Sequence, residues 1–220
     1  RFYRTGHVDI GFGAQGTAYD AEVENWPNVI DWELTLERAW ECLETWVNTA
    51  TPVAEEYGVK LGLHPVDPPA PVVGGVPQLL FNFENYKRLI EIYDSPANSL
   101  LLCQGSFAQM AGADQDNGES IYDMIEYFVK RKRVLYVHFR NVSGTVPKFH
   151  ETFVNKGHVD MYRAMRIYAE NGFEGFFMDD HVPRTIGDTD WGHRAKAYAN
   201  GYIQSLIETV TDKSLYGAHW

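Results

Sequence analysis

Four short apolar runs along the chain each end on a side chain that can bind a metal ion. In chain order these side chains are His64, Cys103, His138 and Asp180, the last lying in the stretch Asp179-Asp180-His181. Two imidazoles, a thiolate and a carboxylate form a mixed nitrogen, sulfur and oxygen set that suits divalent Mn, Fe, Co or Zn. Each residue taken singly has an ordinary explanation in the core or in a turn. Their recurrence at the ends of four successive runs predicts one metal site.

Further polar groups accompany these four residues. Arg140 lies two positions beyond His138, so both side chains can face the same side of a strand. It is therefore a candidate to pair with a substrate carboxylate. A surface salt bridge explains an arginine at this position equally well. His181, directly after the last predicted ligand, can titrate near neutral pH as an acid or base. His150 and Glu151 lie on a long loop after the third run, which is either a lid or a solvent-facing loop.

Helices separate the apolar runs. Apolar residues recur at helical spacing, and Gly58 and Asn171-Gly172 are typical helix ends. The predicted helices cover 35–58, 82–95, 119–132, 158–172 and 192–210, and the predicted strands cover 59–65, 99–106, 133–141 and 173–181. Continuous apolar strands that alternate with helices indicate parallel strands covered on both faces.

Parallel strands of this kind predict an α/β fold, part of a TIM (β/α)8-type barrel with four clear βα units. A full barrel takes about 250 residues and carries its functional site at the carboxyl ends of the strands. An open doubly wound sheet is the alternative, but no Gly-rich phosphate loop follows any of the four strands. We expect residues 1–34, rich in glycine and polar residues, to be a loop-rich segment of the same domain. Residues 35–220 form the barrel portion with the metal site.

The composition excludes several partners. The chain of 220 residues has a formal net charge of −11, with 30 acidic and 19 basic residues, which argues against nucleic acid or an anionic membrane. No apolar run approaches the roughly 18 residues that span a bilayer, and no signal peptide is predicted. Two cysteines, Cys42 and Cys103, in different settings suggest no disulfide, so a reducing compartment, the cytoplasm, is expected.

The chain resembles the mannonate dehydratase family in five motifs that occur in order: HPVDPP, LCQGS, VHFRNV, FHETF with GHVDMYRAM, and DDHVPR. The resemblance covers about residues 55–185 and implies a xylose-isomerase-like TIM barrel. It implies a hydro-lyase of hexuronate catabolism that removes water from D-mannonate to give 2-keto-3-deoxy-D-gluconate. The implied metal is Mn²⁺, with Fe²⁺, Co²⁺ or Zn²⁺ as alternatives, held by the four residues named above. His181 is the implied proton-transfer residue, and Arg140, Asn141, His150 and Arg184 are assigned to the sugar-acid substrate.

Two departures from the family keep other functions open. Where many members have Asp-His-Gly-Arg, this chain has Asp180-His181-Val182-Pro183-Arg184. The tyrosine that often serves as a second acid or base falls near Trp191, so the second proton-transfer residue is not identified. The alternatives are a metal-dependent sugar isomerase or epimerase on the same barrel, and a degenerate non-catalytic relative. The sequence does not decide whether the chain forms a homo-oligomer.

Overall fold

The computed structural model describes residues 4–21, 27–111 and 120–211. Its strands are β1 (Arg4–Gly11), β2 (Ala14–Asp20), β3 (Leu61–Leu63), β4 (Val72–Val73), β5 (Val76–Pro77), β6 (Asn98–Cys103), β7 (Val134–His138), β8 (Val142–Thr145), β9 (Lys148–Glu151) and β10 (Phe177–Met178). Its helices are α1 (Leu36–Glu56), α2 (Phe83–Ile92), α3 (Gln104–Ala111), α4 (Ile121–Lys130), α5 (Met161–Glu170) and α6 (His193–Thr211). None of the described helices is long and apolar enough to cross a membrane.

A four-stranded parallel sheet forms the centre of the fold. Its strand order is β10-β7-β6-β3, so each strand lies beside its predecessor among the four, and every pairing is parallel. The predicted alternation of strands and helices is confirmed, and it corresponds to successive βα units of a barrel. Within the described residues the sheet stays open and does not close into a ring. The carboxyl ends of all four strands therefore lie along one edge.

The helices pack against this sheet through apolar residues that repeat at helical spacing. Leu100 and Leu102 of β6 are fully buried against a cluster that includes Tyr86 of α2 and Phe128 of α4. Burying one such side chain contributes about 1.5–3 kcal/mol. The start of α4 is set by Ser120, whose side chain and backbone exchange hydrogen bonds with Asp123 in a capping box. Packing and capping together hold the strand ends in place.

The prediction of a loop over residues 1–34 is wrong for residues 4–20. β1 and β2 form an antiparallel hairpin, which joins β9 and β8 in a second sheet of order β1-β2-β9-β8. The strands were not predicted because the segment is rich in glycine and β1 is almost wholly exposed, with no buried apolar face. Gly16 is required by the pairing, since a Cβ there would lie 1.8 Å from the Glu151 carbonyl oxygen. The boundary between residues 34 and 35 stays a prediction.

The same sheet replaces the predicted loop after β7. β8 and β9 pair with each other in register from Val142–Glu151 to Thr145–Lys148. β9 then pairs with β2, which anchors the N-terminal hairpin beside the carboxyl end of β7. Two further elements were not predicted: α3, which begins directly after Cys103, and the short hairpin of β4 and β5. The second sheet thus lies next to the edge where the predicted ligands end their strands.

Candidate metal centre

Three of the four predicted ligands meet at the carboxyl ends of neighbouring parallel strands. Cys103, the last residue of β6, is paired in register with His138, the last residue of β7. His64 directly follows β3, which lies on the other side of β6. One ring nitrogen of each histidine and the Cys103 Sγ all lie within 4.8 Å of one another. This arrangement is a candidate His/Cys/His metal site.

Both histidines have ring nitrogens available for a metal. His138 is buried, and neither of its ring nitrogens has a hydrogen-bond partner within the described residues. A buried polar group without a partner is rare in a folded protein and indicates that something further binds there. In His64 the Nδ1 lies 2.5 Å from the Pro65 carbonyl oxygen, which leaves Nε2 free. A backbone carbonyl on the second ring nitrogen is the usual support of a metal-binding histidine.

The surroundings of Cys103 favour the thiolate form of its side chain. Its burial raises the pKa, but the Arg140 guanidinium and the neighbouring His138 and His64 rings together lower it to about 6. The Ser106 hydroxyl also donates to the Cys103 Sγ at 3.2 Å. Because the thiolate is the metal-binding form of cysteine, this environment favours metal binding at neutral pH. The donor set of two imidazoles and one thiolate fits a divalent transition metal.

Asp180, the fourth predicted ligand, lies beside this trio. Its Oδ2 is 3.7 Å from the Cys103 Sγ, and its Oδ1 is 3.5 Å from the His138 Nδ1. Its backbone is left-handed, with φ of 56°. Such a conformation is uncommon for a residue with a side chain and is concentrated at functional sites. Lys196 of α6 donates to the Asp180 carbonyl at 3.1 Å and to the Asp179 carboxylate at 3.2 Å, which holds this turn against the helix.

Arg140 is buried between three carboxylates. Its Nη1 donates to Glu151 at 3.0 Å and its Nη2 to Asp67 at 2.9 Å, while its Nε lies 2.7 Å from the Asp180 Oδ2. The Nε contact is ionic, because the N–H does not point along the line to the carboxylate. Burial lowers the pKa of Arg140, but Glu151 and the other anions hold it well above its ordinary value. The guanidinium of Arg140 thus contacts carboxylates of the protein itself. Its pairing with a substrate carboxylate stays a prediction.

His181 is held by Glu151 at the side of the candidate site. The His181 Nδ1 lies 2.8 Å from the Glu151 Oε1, and its Nε2 is 3.8 Å from the Asp180 Oδ1. Burial lowers the pKa of His181, but the hydrogen bond with Glu151 and the negative charges of Glu151 and Asp180 together raise it overall. Conversely, burial raises the pKa of the Glu151 carboxyl, while Arg140 and His181 bring it below its ordinary value. The role of His181 in proton transfer stays a prediction, and its imidazole lies close to the predicted ligand Asp180.

The other predicted substrate contacts have different surroundings, and their roles stay predictions. Asn141 is buried, and its amide bonds to the backbone of Val142 and Val159. His150 lies on β9, where alternation directs it to the face opposite to Glu151. Arg184 is exposed and lines a cavity of about 620 Å³ between the β1–β2 hairpin and residues 182–192.

Two carboxylates of the cluster were not assigned a role from the sequence. Asp67 lies in the Pro-rich turn after His64, and Glu151 was considered only as part of a loop. Glu151 is buried, with its side chain 4 % exposed. The signal that could have found both is charge balance, because a buried arginine in an apolar strand needs carboxylate partners. Sequence spacing alone does not say which of the 30 acidic residues supply them.

The chain is similar in sequence to known proteins. The sequence model of the family described as D-mannonate dehydratase (UxuA) matches residues 25–215. The mannonate dehydratase of Thermotoga neapolitana is 37% identical over 176 residues, which are 79% of this chain and 46% of that protein. The chain thus spans about half the length of the curated relatives it matches.

Solved structures give the same fold. The crystal structure of mannonate dehydratase from Streptococcus suis serotype 2 superposes with a TM-score of 0.84 at 26% identity, over 99% of this chain and 66% of that one. A xylose isomerase-like TIM barrel protein from Mycobacterium smegmatis superposes with a TM-score of 0.56 at 16% identity, over 84% of this chain and 55% of that one. The TIM-barrel prediction is therefore confirmed, with the barrel incomplete within the described residues.

Proposed function

Because the chain belongs to the D-mannonate dehydratase family, we propose that it is a metal-dependent hydro-lyase acting on a hexonate. The substrate is D-mannonate and the product 2-keto-3-deoxy-D-gluconate. The observation that carries the proposal is the convergence of His64, Cys103 and His138 within 4.8 Å, next to Asp180 and His181. A proton carrier beside a set of metal donors suits the removal of water from a hydroxy acid.

The four predicted ligands are His64, Cys103, His138 and Asp180. A divalent metal held by them supplies Lewis acidity, which offsets the negative charge of a substrate carboxylate and its neighbouring hydroxyl. We propose Mn²⁺ first and Fe²⁺, Co²⁺ or Zn²⁺ as alternatives, since the mixed donor set accepts all four. A free thiolate ligand requires a reducing environment, so we place the protein in the cytoplasm.

Side chains next to the predicted ligands move protons and offset charge. Glu151 occupies the His181 Nδ1, which leaves the Nε2 to accept or deliver a proton beside the Asp180 carboxylate. Loss of water needs one proton taken from the carbon next to the carboxylate and one given to the departing hydroxyl. His181 performs one of these transfers. Arg140 offsets part of the negative charge of the three carboxylates, which lessens the repulsion of an anionic substrate.

The test is an assay of the metal-loaded protein with D-mannonate and detection of a 2-keto-3-deoxy acid. We expect turnover in the wild type, and a loss of about 10²-fold or more in His181→Asn, because a positioned acid or base contributes this much. Metal content measured by elemental analysis should be equal in both proteins. A protein that binds metal but yields no keto acid from D-mannonate or its epimers would refute the dehydratase proposal.

A further inference from the structure

We infer that Glu151 is a positioning residue for His181, which sets the tautomer and the orientation of the imidazole through the Nδ1. This inference rests on the proposed function for its catalytic meaning, but the tautomer can be measured independently. Neither the family match nor the motifs assign Glu151 a role. Its position on β9, outside the four-stranded sheet that carries the candidate ligands, explains why strand ends alone did not indicate it.

The contact geometry determines which nitrogen carries the proton. The Glu151 Oε1 lies 2.8 Å from the His181 Nδ1 and accepts from the Arg140 Nη1 at 3.0 Å. The same oxygen already accepts from the guanidinium, so it is an acceptor toward the imidazole as well. The Nδ1 must then be the protonated nitrogen. The Nε2, on the side of the Asp180 carboxylate, is the atom left for proton exchange.

The support for His181 has to come from outside its own segment. His181 lies in the irregular stretch after β10, and its side chain is 41% exposed. Glu151, in contrast, is buried at the end of a strand that pairs with β8 and lies beside β2. Gly16 of β2 packs so closely on the Glu151 backbone that no Cβ fits there. The buried Glu151 carboxylate thus restrains the exposed His181 imidazole, as the hydrogen-bond partner of a catalytic histidine does in other proteins.

The competing explanation is that Glu151 only neutralises Arg140. Asp67 provides the matched comparison, because it also accepts from Arg140, at 2.9 Å, and forms no hydrogen bond or ion pair with His181 among the described residues. If charge balance were the whole role of Glu151, loss of either carboxylate would affect His181 alike. If Glu151 positions the imidazole, only its own substitution changes the tautomer.

The experiment is nitrogen-15 NMR of the histidine side chains in the full chain, without added metal and loaded with diamagnetic Zn²⁺. Spectra are recorded at about pH 9, where an imidazole is neutral. We expect the Nδ1–H form of His181 in the wild type and in Asp67→Asn. In Glu151→Leu we expect a shift to the Nε2–H form, and in Glu151→Gln an intermediate population, because the amide oxygen still accepts. If Glu151→Leu fails to fold, the comparison of Glu151→Gln with Asp67→Asn decides.

Kinetics with D-mannonate add a second measurement. For Glu151→Gln we expect kcat to fall by about 10-fold to 10²-fold while KM changes less than about twofold and metal content is unchanged. An unaltered His181 tautomer in Glu151→Leu or Glu151→Gln, or an equal change in Asp67→Asn, would overturn the inference. A wild type without turnover would refute the proposed function instead, and the NMR result would still decide the role of Glu151.

Discussion

Removal of the Arg140 guanidinium is the most informative perturbation of this cluster. Arg140→Met keeps a side chain of similar length but leaves the carboxylates of Asp67, Glu151 and Asp180 without their shared cation. The guanidinium is 2% exposed, so water cannot replace it. Each charge-assisted contact contributes about 1.5–3 kcal/mol. The sum overstates the effect, because the carboxylates can separate or take up protons after the substitution.

Loss of one partner from a buried ion pair typically costs about 3–5 kcal/mol, and we expect Arg140→Met to fall in this range. For a chain of this size each kcal/mol lowers the Tm by about 2–4 °C, so the expected decrease is roughly 6–20 °C. Thermal unfolding followed by circular dichroism, with and without added Mn²⁺, measures it. Added metal should recover part of the loss, because a cation held near Asp180 offsets some of the same negative charge.

Two further variants complete this test. Arg140→Lys keeps the charge, but one ammonium cannot reach three carboxylates as the planar guanidinium does, so we expect only partial recovery of the Tm. Arg166→Met is the control, since Arg166 forms an exposed pair with Glu170 that contributes about 0.3–0.5 kcal/mol. If Arg140→Met lowered the Tm no more than Arg166→Met, or if Arg140→Lys matched the wild type, the buried cluster would not be the stabilising network described above.

Four other substitutions have expected results that follow from the immediate surroundings of one residue. Cys103→Ser should weaken metal binding by at least the roughly 10–100-fold that loss of a supporting residue costs, measured by titration with Mn²⁺ or Zn²⁺; unchanged affinity would remove the thiolate from the site. Gly105→Ala should destabilise by about 1–3 kcal/mol although alanine favours helices, because its Cβ would lie 2.6 Å from Arg140 atoms. Gly201→Ala in α6, which meets nothing within 4 Å, should instead stabilise by about 0.5–1 kcal/mol, and urea unfolding compares the two. The Asp188 carboxylate accepts from the backbone N–H groups of Arg194, Ala195 and Thr189 at the start of α6, and these lower its pKa to about 2. A depressed carboxyl pKa stabilises the fold above the ordinary value near 4 and loses this effect as the pH falls through 2, so the Tm difference between wild type and Asp188→Asn should shrink over that interval; a difference independent of pH would contradict this.

The parallel sheet and its helices were predictable because local patterns specify them. Fully buried strands such as β6 are continuous apolar runs, and helices such as α4 carry an apolar stripe and a capping residue. The hairpin of β1 and β2 was missed for the opposite reason. β1 is exposed and glycine-rich, so its strand conformation comes from pairing with β2, which itself pairs with β9, about 130 residues away in the chain.

Some residues of the candidate site could likewise be predicted from the sequence, and others could not. The residues that end the four parallel strands could be selected from the sequence by itself, since the carboxyl ends of parallel strands meet at one edge whatever the details of packing. The partners of Arg140 and His181 could not, because Asp67 and Glu151 come from a turn and from a second sheet. Which carboxylate meets a buried cation depends on contacts between segments far apart in the chain. Only the folded arrangement shows that Arg140 is occupied by protein carboxylates and that Glu151 holds the imidazole.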